Sequence, residues 1–437
     1  MSIVAFPRVP EDLPNGLLLG WQAGKDGSMV PLWDTGREGH LMTIAPTGAG
    51  KGVSCIIPAL LTWQGPAVVI DPRGENYAVT GAYRASLGQA VHVLDPFGVT
   101  AAPNKGRLNP LDLISPVSTT IEDDAASIAS CLTAGRTFKD DPFWDERAEA
   151  LMAGLIAAQF SDTHDLFREP TLGVVRDQVA AGHDQPRTLA DVLEEGSKPA
   201  QPKILPSQFG SDRTRSSILS TASSHLGFLR NGPVRECLSR STFAVSDITD
   251  GAPITIYLVL PPDKLRSHGS LLRLWLGTVL MAIARRQQVP ALPTLMLVDE
   301  AAQLGELEHL RSAITLMRGY GMRVWTFWQD VSQLKRVYPR DWESIVNNST
   351  TLQLFGTVTR RTLDTLEIDG SAPPNQANQQ LLVRRPDGTA TLIRPNYRTD
   401  RAFLGMSAPN PFHGQPAAAE FIPFLRDLPA PKSLGRE

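Results

Sequence analysis

A glycine-rich loop between two apolar runs is the feature of the sequence with the clearest chemistry. It lies in HLMTIAPTGAGKGVSCIIPALL, residues 40–61, where a strand-like run enters the loop and a helix-like run leaves it. This order predicts a P-loop, in which backbone N–H groups at a helix N-terminus surround phosphates and a lysine, here Lys51, reaches the β and γ oxygens. We expect ATP to be bound by seven consecutive residues, Thr47, Gly48, Ala49, Gly50, Lys51, Gly52 and Val53.

The loop departs from the usual P-loop pattern at two positions. Ala45 stands at the first glycine, and Gly52 stands where a hydroxyl residue normally binds Mg²⁺. We therefore expect the substrate and water to supply part of the Mg²⁺ shell. The alternative interpretation is a glycine-rich turn between a strand and a helix that holds no ligand.

Two neighbouring carboxylates end a second apolar run, TLMLVDEAAQLG at residues 294–305. In P-loop ATPases the first such acid holds Mg²⁺ and the second polarises the attacking water, which assigns the metal to Asp299 and the catalytic carboxylate to Glu300. Gln329 ends the next strand-like run, where we expect it to sense the γ-phosphate or orient water. The alternatives are a helix-capping role for the acids and a simple hydrogen-bonded strand end for Gln329.

The elements that position these residues alternate between strand and helix. Short apolar runs such as AVVID (67–71) and ITIYLVLP (254–261) predict strands buried on both faces, with helical spacing between them. This alternation predicts an α/β fold with a mostly parallel sheet, in which functional residues collect at the carboxyl ends of strands. Near the end, two alternating runs around Asp387-Gly388 predict a hairpin.

The spacing of the motifs predicts an insertion, because 248 residues separate Lys51 from Asp299. Strand signals vanish from about 112 to 245 and the apolar spacing there is helical, which indicates an all-α insertion. We predict an irregular or hairpin-like segment at 1–38, a nucleotide-binding domain at 39–111 and 246–404, an all-α domain at 112–245 and a Pro-rich tail at 405–437.

The composition indicates a globular protein. Hydrophobic residues make up 42% and charged residues 20% of the chain, which excludes disordered and collagen-like classes. Three widely spaced cysteines argue against a disulfide framework or a zinc cluster. No apolar run approaches the roughly 18 residues of a membrane span and the first residues do not read as a secretory signal, so we expect a cytoplasmic protein.

The charge distribution limits where nucleic acid could bind, since a formal net charge of −3 gives no global attraction to phosphates. Residues 121–200 carry 7 basic and 16 acidic residues, whereas 201–245 carry 6 and 2, and 311–361 carry 8 and 3. The two later zones are therefore the candidate DNA-facing surfaces. The alternative is that they are ordinary solvated faces.

Several ordered motifs together resemble the coupling proteins of type IV secretion, the TraG-like conjugative DNA-transfer ATPases, related more distantly to FtsK and HerA translocases. The resemblance spans roughly residues 38–400 and rests on PTGAGKGV (46–53), VVIDPRGENYAVTGAYR (68–84), NPLDLI (109–114), FWDERAEALMAGLI (143–156), LMLVDEAAQLG (295–305) and MRGYGMRVWTFWQDVSQLKRVYP (317–339). Glycine after the P-loop lysine is the pattern of this branch, so Gly52 agrees with the resemblance.

The resemblance implies a RecA-like motor domain that carries an all-α domain and forms a homo-hexameric ring when active, with a monomer as the alternative in isolation. It implies hydrolysis of ATP with Mg²⁺, coupled to moving DNA or relaxase-bound DNA toward a secretion channel. Lys51, Asp299, Glu300 and Gln329 take the motor roles. Arg318 matches the position of an arginine finger that reaches a neighbour's γ-phosphate; the alternative is a helix cap or a surface ion pair.

The partners implied by the resemblance are DNA, first single-stranded and alternatively double-stranded, and a relaxase or other secreted substrate received by the all-α domain. Family members usually begin with membrane-spanning helices, which this sequence does not show, so a separate membrane or channel partner is expected. Two other functions stay open: an ATPase of a mobile or defence element that remodels DNA or protein without secretion, and an ATP-gated adaptor that recruits a substrate. The neighbouring genes or the DNA dependence of hydrolysis would separate them.

Overall fold

A computed structural model describes residues 16–23, 29–35, 39–133, 142–160, 169–182, 211–368 and 371–413. Its centre is one eleven-stranded sheet with the order β2-β1-β11-β10-β9-β3-β8-β7-β4-β6-β5. The strands are β1 Leu17–Ala23, β2 Met29–Asp34, β3 Leu41–Ile44, β4 Ala67–Ile70, β5 Ala90–Leu94, β6 Ile254–Leu258, β7 Thr294–Val298, β8 Met322–Trp328, β9 Thr351–Phe355, β10 Gln380–Arg385 and β11 Gly388–Ile393.

Seven neighbouring strands, from β9 to β5 in the sheet order, are all parallel. Most of their residues are buried, as the uninterrupted apolar runs predict for strands covered on both faces. Alternate residues enter different cores: Met42 and Ile44 belong to one hydrophobic cluster, and Leu41 belongs to another. The predicted α/β class with a mostly parallel sheet, of the RecA-like type, is confirmed.

The other four strands pair antiparallel at one side of the sheet. β10 and β11 form the predicted hairpin, whose register pairs Arg385 with Gly388. β1 pairs with both β2 and β11, so residues 17–23 and 29–34 join the same sheet as the P-loop strand. The predicted boundary at residue 38 therefore does not coincide with a break in the sheet, and residues 1–15 of that segment lie outside the described residues.

The α-helices that the structure describes are α1 Ile57–Thr62, α2 Glu75–Ser86, α3 Ile121–Thr133, α4 Phe143–Ala158, α5 Leu172–Ala181, α6 Asp212–His225, α7 Gly232–Cys237, α8 Val245–Asp250, α9 Leu265–Ala284, α10 Glu308–Leu316, α11 Val331–Val337, α12 Trp342–Asn348 and α13 Arg360–Thr365. None of these helices combines the length and the apolar composition of a bilayer span.

Every regular element described between β5 and β6 is helical, where the sequence predicts an all-α insertion. These helices do not have a core of their own. Leu132 of α3, Leu155 of α4 and Leu219 of α6 belong to the same cluster of buried residues as Met42 of the P-loop strand. Helix α9 connects the two parts, because it packs on α3 and also on the turns near the carboxylates of β7. The boundaries 112 and 245 stay predictions, and tail residues 414–437 lie outside the described residues.

Candidate nucleotide-binding site

The predicted site residues other than Arg318 meet at one edge of the sheet. Because β3, β4, β7 and β8 are parallel, their carboxyl ends share that edge. The register pairs Ile70 with Val298, so the residues that follow, Asp71 and Asp299, occupy adjacent strand ends. Gln329 follows β8 directly. The sheet thus brings together groups that are up to 278 residues apart in the chain, from Lys51 to Gln329.

The loop between β3 and α1 has the backbone shape that a phosphate cradle needs. Gly48 and Gly50 have φ values of 76° and 94°, which side chains other than glycine rarely adopt. Ala49 N–H donates to the carbonyl of Pro46 at 3.2 Å, and Ser54 N–H donates to that of Gly50 at 2.8 Å, where the helical turns begin. Thr47 and Gly48 are exposed, so the concave backbone of this loop is accessible to an anion.

The beginning of the helix is a π-helical turn, Gly52–Ile56, followed by α1. Gly52 has open space where a side chain would project, so its lack of a hydroxyl is not imposed by crowding. Val53 is half-buried and its carbonyl accepts a hydrogen bond from Tyr397 N–H at 3.4 Å. The start of the helix is therefore held by a segment that follows β11.

Lys51 is inside the site rather than in solvent. It is 7% exposed, and its Nζ lies 3.3 Å from Glu300 Oε1 and donates to the Ala45 carbonyl at 3.2 Å. The other oxygen of this carboxylate, Glu300 Oε2, accepts a hydrogen bond from Gln329 Nε2 at 2.9 Å. Three residues that the sequence assigns to one reaction thus form a continuous chain of contacts.

Glu300 is held in an unusual backbone conformation. Its φ and ψ are 51° and 50°, in the left-handed region that costs a non-glycine residue of order 1–3 kcal/mol. The strain arises directly after β7, where the chain turns into the 3₁₀ helix Ala301–Leu304. This conformation accompanies contacts of its carboxylate with Lys51 and Gln329. A strained backbone persists only where surrounding contacts hold it in place, and such residues are concentrated at functional sites.

Two acids at this edge lose part of their acidity. Burial, together with the charge of Glu300, raises the pKa of Asp299 to about 7, although the nearby Lys51 opposes the shift. Burial also raises the pKa of Asp71 to about 6, while hydrogen bonds from the first turn of α2, donated by Asn76 and Tyr77, oppose the shift. Carboxylate oxygens are the ligands that Mg²⁺ prefers, and a divalent cation would offset the cost of burying this charge. Asp299 therefore fits the predicted metal position.

Arg318 lies at the opposite edge of the sheet. It is exposed in the 3₁₀ turn Met317–Tyr320, just before β8, whereas Gln329 follows β8. Seven residues of strand separate the two edges by roughly 20 Å. The charge of Arg318 acts on His40, just before β3, where burial and the charges of Arg323 and Arg318 lower the pKa of the imidazole to about 4. Arg318 therefore cannot reach the P-loop of its own chain.

The capping role considered as the alternative for Arg318 belongs to another residue, Arg286. Its buried guanidinium donates to the carbonyls of Tyr320 and Gly321 at 2.9 and 3.0 Å, and also to those of Ile248 and Thr249. Among the described residues, the guanidinium of Arg318 has neither an ion pair nor a hydrogen bond. Arg286 thus connects the turn that contains Arg318 to the end of α8 through hydrogen bonds.

The basic zone at 311–361 is smaller in the structure than in the sequence. Arg323 is 2% exposed and forms a two-pronged pair with Asp34, so it does not belong to a DNA-facing surface. Arg311 pairs with Asp341 at 3.0 Å. The exposed basic residues of this zone that follow the carboxyl ends of β8 and β9 are Lys335, Arg336, Arg340, Arg360 and Arg361. In the zone at 201–245, residues 201–210 lie outside the described residues.

Two residues of the site escaped the sequence analysis. Asp71 ends AVVID, the same strand-then-acid pattern that identified Asp299, and this signal was sufficient to find it. Arg394 donates a hydrogen bond from Nη1 to the Ala49 carbonyl of the P-loop. No local pattern marks Arg394, because its position depends on the folding of the β10–β11 hairpin onto the sheet.

Comparison with known proteins identifies relatives for most of the chain. The profile of the family described as type IV secretory system conjugative DNA transfer matches residues 6–367. The chain is 26% identical over 402 residues to the conjugal transfer protein TraG of Escherichia coli, covering 87% of this chain and 59% of TraG. It is 28% identical over 327 residues to VirD4 of Rhizobium rhizogenes, covering 72% of this chain and 46% of VirD4.

Solved structures share the fold at low sequence identity. The unbound conjugative coupling protein TrwB lacking 70 N-terminal residues superposes with a TM-score of 0.65 at 16% identity, covering 85% of this chain and 90% of that one. TrwB in complex with ADP and Mg²⁺ gives a TM-score of 0.64 at 18% identity, covering 87% and 88%. The chain spans only about half the length of the curated relatives named above, so their whole activities do not transfer to it directly.

Proposed function

Because the chain belongs to the type IV secretory system conjugative DNA transfer family, we propose that it is an ATP-driven coupling protein that delivers DNA, or relaxase-bound DNA, toward a conjugation channel. The observation that carries this proposal is the contact chain of Lys51, Glu300 and Gln329 beside the P-loop. These are the groups that phosphoryl transfer to water requires, since its catalysis consists of positioning and charge stabilisation.

Each group has a role that its position supports. Lys51 neutralises charge on the transferred phosphoryl group, and Asp299 holds Mg²⁺, which stabilises charge on the phosphate oxygens when bound. Glu300 accepts a hydrogen bond from the attacking water and orients it. In the structure Lys51 Nζ lies 3.3 Å from Glu300 Oε1. A polyphosphate that enters the loop competes with Glu300 for Lys51, which leaves the carboxylate free to bind water. The complex of TrwB with ADP and Mg²⁺ supports this choice of ligands.

Arg318 supports assembly into a ring, for which we propose six copies. An arginine finger stabilises the transition state from outside the subunit that binds the nucleotide. Arg318 is exposed at the edge opposite the P-loop, so it can serve only the nucleotide site of another copy. A monomer would then bind ATP but hydrolyse it slowly.

DNA and protein partners follow from the family rather than from a contact in the structure. We propose that DNA lies along the exposed basic residues after β8 and β9, and that the helices between β5 and β6 receive a relaxase or other secreted substrate. A separate membrane or channel protein would dock the ring. Since the proposed substrate and ATP are both cytoplasmic, we also propose a cytoplasmic location, which fractionation of cells that express the chain alone would test.

The experiment that tests the proposed function is ATP hydrolysis by the purified chain, measured alone and with single-stranded or double-stranded DNA. We expect DNA to stimulate turnover, and DNA binding to weaken steeply with salt because counterions are released. The matched variant Lys51→Ala should hydrolyse ATP at background rate under all conditions. Turnover that is indifferent to DNA would favour remodelling of protein, and an absence of turnover with nucleotide binding intact would favour the recruiting adaptor.

A further inference from the structure

Arg394 lies at the nucleotide-binding edge although it follows β11, which β10 and β9 separate from the P-loop strand β3. β11 is antiparallel to β10, and β10 is antiparallel to β9, which runs parallel to β3. Two reversals make β11 point the same way as the P-loop strand. The residue that follows β11 therefore emerges at the same edge as the P-loop, and that residue is Arg394.

The side chain of Arg394 contacts the centre of the P-loop. Its Nη1 donates to the Ala49 carbonyl, and a Cβ placed on Gly50 would lie 3.6 Å from the same nitrogen. Its guanidinium carbon is 5.0 Å from the centre of the Phe355 ring, at the end of β9. Backbone N–H of Arg394 donates to the Gln379 carbonyl at 2.9 Å, which fixes the start of the side chain.

Arg394 is half-buried and makes fewer hydrogen bonds than the buried arginines Arg84, Arg286 and Arg323. All three nitrogens of the Arg84, Arg286 and Arg323 guanidiniums donate hydrogen bonds. Arg394 donates through Nη1, and its buried Nε has no partner among the described residues. No carboxylate of the described residues pairs with it either. A half-buried cation whose contacts are a carbonyl and a ring is not neutralised, which is costly unless an anion binds.

We propose that Arg394 binds a phosphate oxygen of the nucleotide in its own subunit, as a second cationic ligand beside Lys51. Its donors approach the loop from the Gly50 side, whereas Lys51 approaches from the Glu300 side. When the polyphosphate enters, the guanidinium turns toward it and the unsatisfied N–H gains an acceptor. Lys51 and Arg394 then contact the phosphates from two sides. Because Arg394 directly follows β11, the position of the β10–β11 hairpin depends on whether nucleotide is bound. This inference rests on the proposed ATP binding.

The test is the affinity of the purified full-length chain for a non-hydrolysable ATP analogue and for ADP, both with Mg²⁺, in Arg394→Gln and Arg394→Lys variants. Arg401→Gln is the matched control, since Arg401 is an exposed arginine of the same segment. We expect Arg394→Gln to raise the Kd of the ATP analogue at least tenfold, which is about 1.4 kcal/mol. Arg394→Lys keeps the charge and should fall between Gln and the wild type, and the control should bind normally.

Circular dichroism and thermal melting establish that each variant is folded. Loss of a phosphate contact would make the Kd of Arg394→Gln depend less on salt than the Kd of the wild type, because one fewer cation faces the phosphates. If Arg394 only anchored the loop through the Ala49 carbonyl, the Kd of Arg394→Gln would rise with an unchanged salt dependence. That result, or an unchanged Kd in Arg394→Gln, would overturn the inference while leaving ATP binding intact. If neither the wild type nor Arg401→Gln binds nucleotide, both the proposed function and the inference about Arg394 are wrong. Should Arg394→Gln not fold, the comparison of Arg394→Lys with the wild type decides, with a rise in Kd expected.

Discussion

The charged side chains at the two edges of the parallel sheet differ in burial and in hydrogen bonding. At the carboxyl edge, Lys51 and Glu300 contact each other, Glu300 is in a strained conformation, and Asp299 has a raised pKa. At the amino edge, Arg286 and Arg323 are buried and hydrogen-bonded through every nitrogen. The first edge holds an ion pair with a strained residue beside an acid whose charge is disfavoured by burial. The second edge uses buried, fully hydrogen-bonded charge to fix the chain.

This difference agrees with the proposed division of the functional groups between copies of the chain. The carboxyl edge carries the P-loop, the two acids and the glutamine. The amino edge carries Arg318, which is exposed and rests on a turn held by Arg286. A ring that places one copy's amino edge against the next copy's carboxyl edge would complete each site. Substitutions at the two edges should therefore have different effects on catalysis.

Arg318→Ala should produce the largest loss that separates the two edges. We expect turnover to fall by about 10³-fold or more, because the proposed finger would neutralise charge that develops on the γ-phosphoryl oxygens. Mixing Arg318→Ala subunits with Lys51→Ala subunits should restore part of the turnover, since some interfaces then combine an intact P-loop with an intact finger. Steady-state ATPase assays at concentrations where rings form would measure both effects.

The control for this experiment is each variant assayed alone at the same total concentration. Near-normal turnover of Arg318→Ala would mean that the amino edge plays no part in catalysis. Inactive mixtures, with rings verified by light scattering, would mean that the two residues do not act across one interface.

Glu300→Gln should lose about 10²-fold in turnover and keep nucleotide affinity, because an amide preserves shape but does not polarise water as a carboxylate does. Affinity should even rise slightly, since Lys51 no longer has an anionic neighbour at 3.3 Å. Equilibrium binding and single-turnover rates separate these effects, and Glu306→Gln is an exposed acid of the same region for comparison. Equal loss of binding and turnover would instead assign Glu300 to structure or to the metal shell.

Arg286→Met should have an intermediate effect, of about tenfold on kcat with KM unchanged. The substitution leaves the carbonyls of Tyr320 and Gly321 without their donor, so the Arg318 turn loses its fixed position. The control is Arg285→Met, whose side chain faces Leu113 and Asp124 instead. A lowered melting temperature with normal kcat well below that temperature would show that Arg286 is structural and does not position the finger.

Asp71→Asn should have the smallest effect, on stability and its pH dependence. The folded pKa of about 6 lies above the ordinary value of 3.8, so the folded state holds its proton more tightly than the unfolded state. The contribution of Asp71 to stability is therefore present below about pH 4 and is lost as the pH rises through 6. Asparagine has no charge to bury, so the variant should melt higher than the wild type at pH 8 and about equally at pH 4. Calorimetry at both pH values would measure this, and equal differences at pH 4 and 8 would contradict it.

Local sequence was sufficient for most of the carboxyl edge. The P-loop, the Asp299-Glu300 pair and Gln329 each follow an apolar run, and parallel strands necessarily bring such positions to one edge. The same reasoning misplaced one residue of the basic zone, because Arg323 counts as a surface charge in the sequence but is buried in the structure. Its pair with Asp34 requires β2 and β8 to be in place, and nothing within either segment indicates that contact.

What the sequence determined by itself is the chemistry available and the order of strands, loops and helices, because these depend on residue types and on periodicity over a few residues. The tertiary structure alone decided which charges are compensated. It placed Arg318 at the opposite edge from Lys51, gave the capping role to Arg286, and brought Arg394 to the Ala49 carbonyl across two reversals of the chain. Such contacts join residues tens to hundreds of positions apart, and burial and charge act through space, so only the assembled sheet decides them.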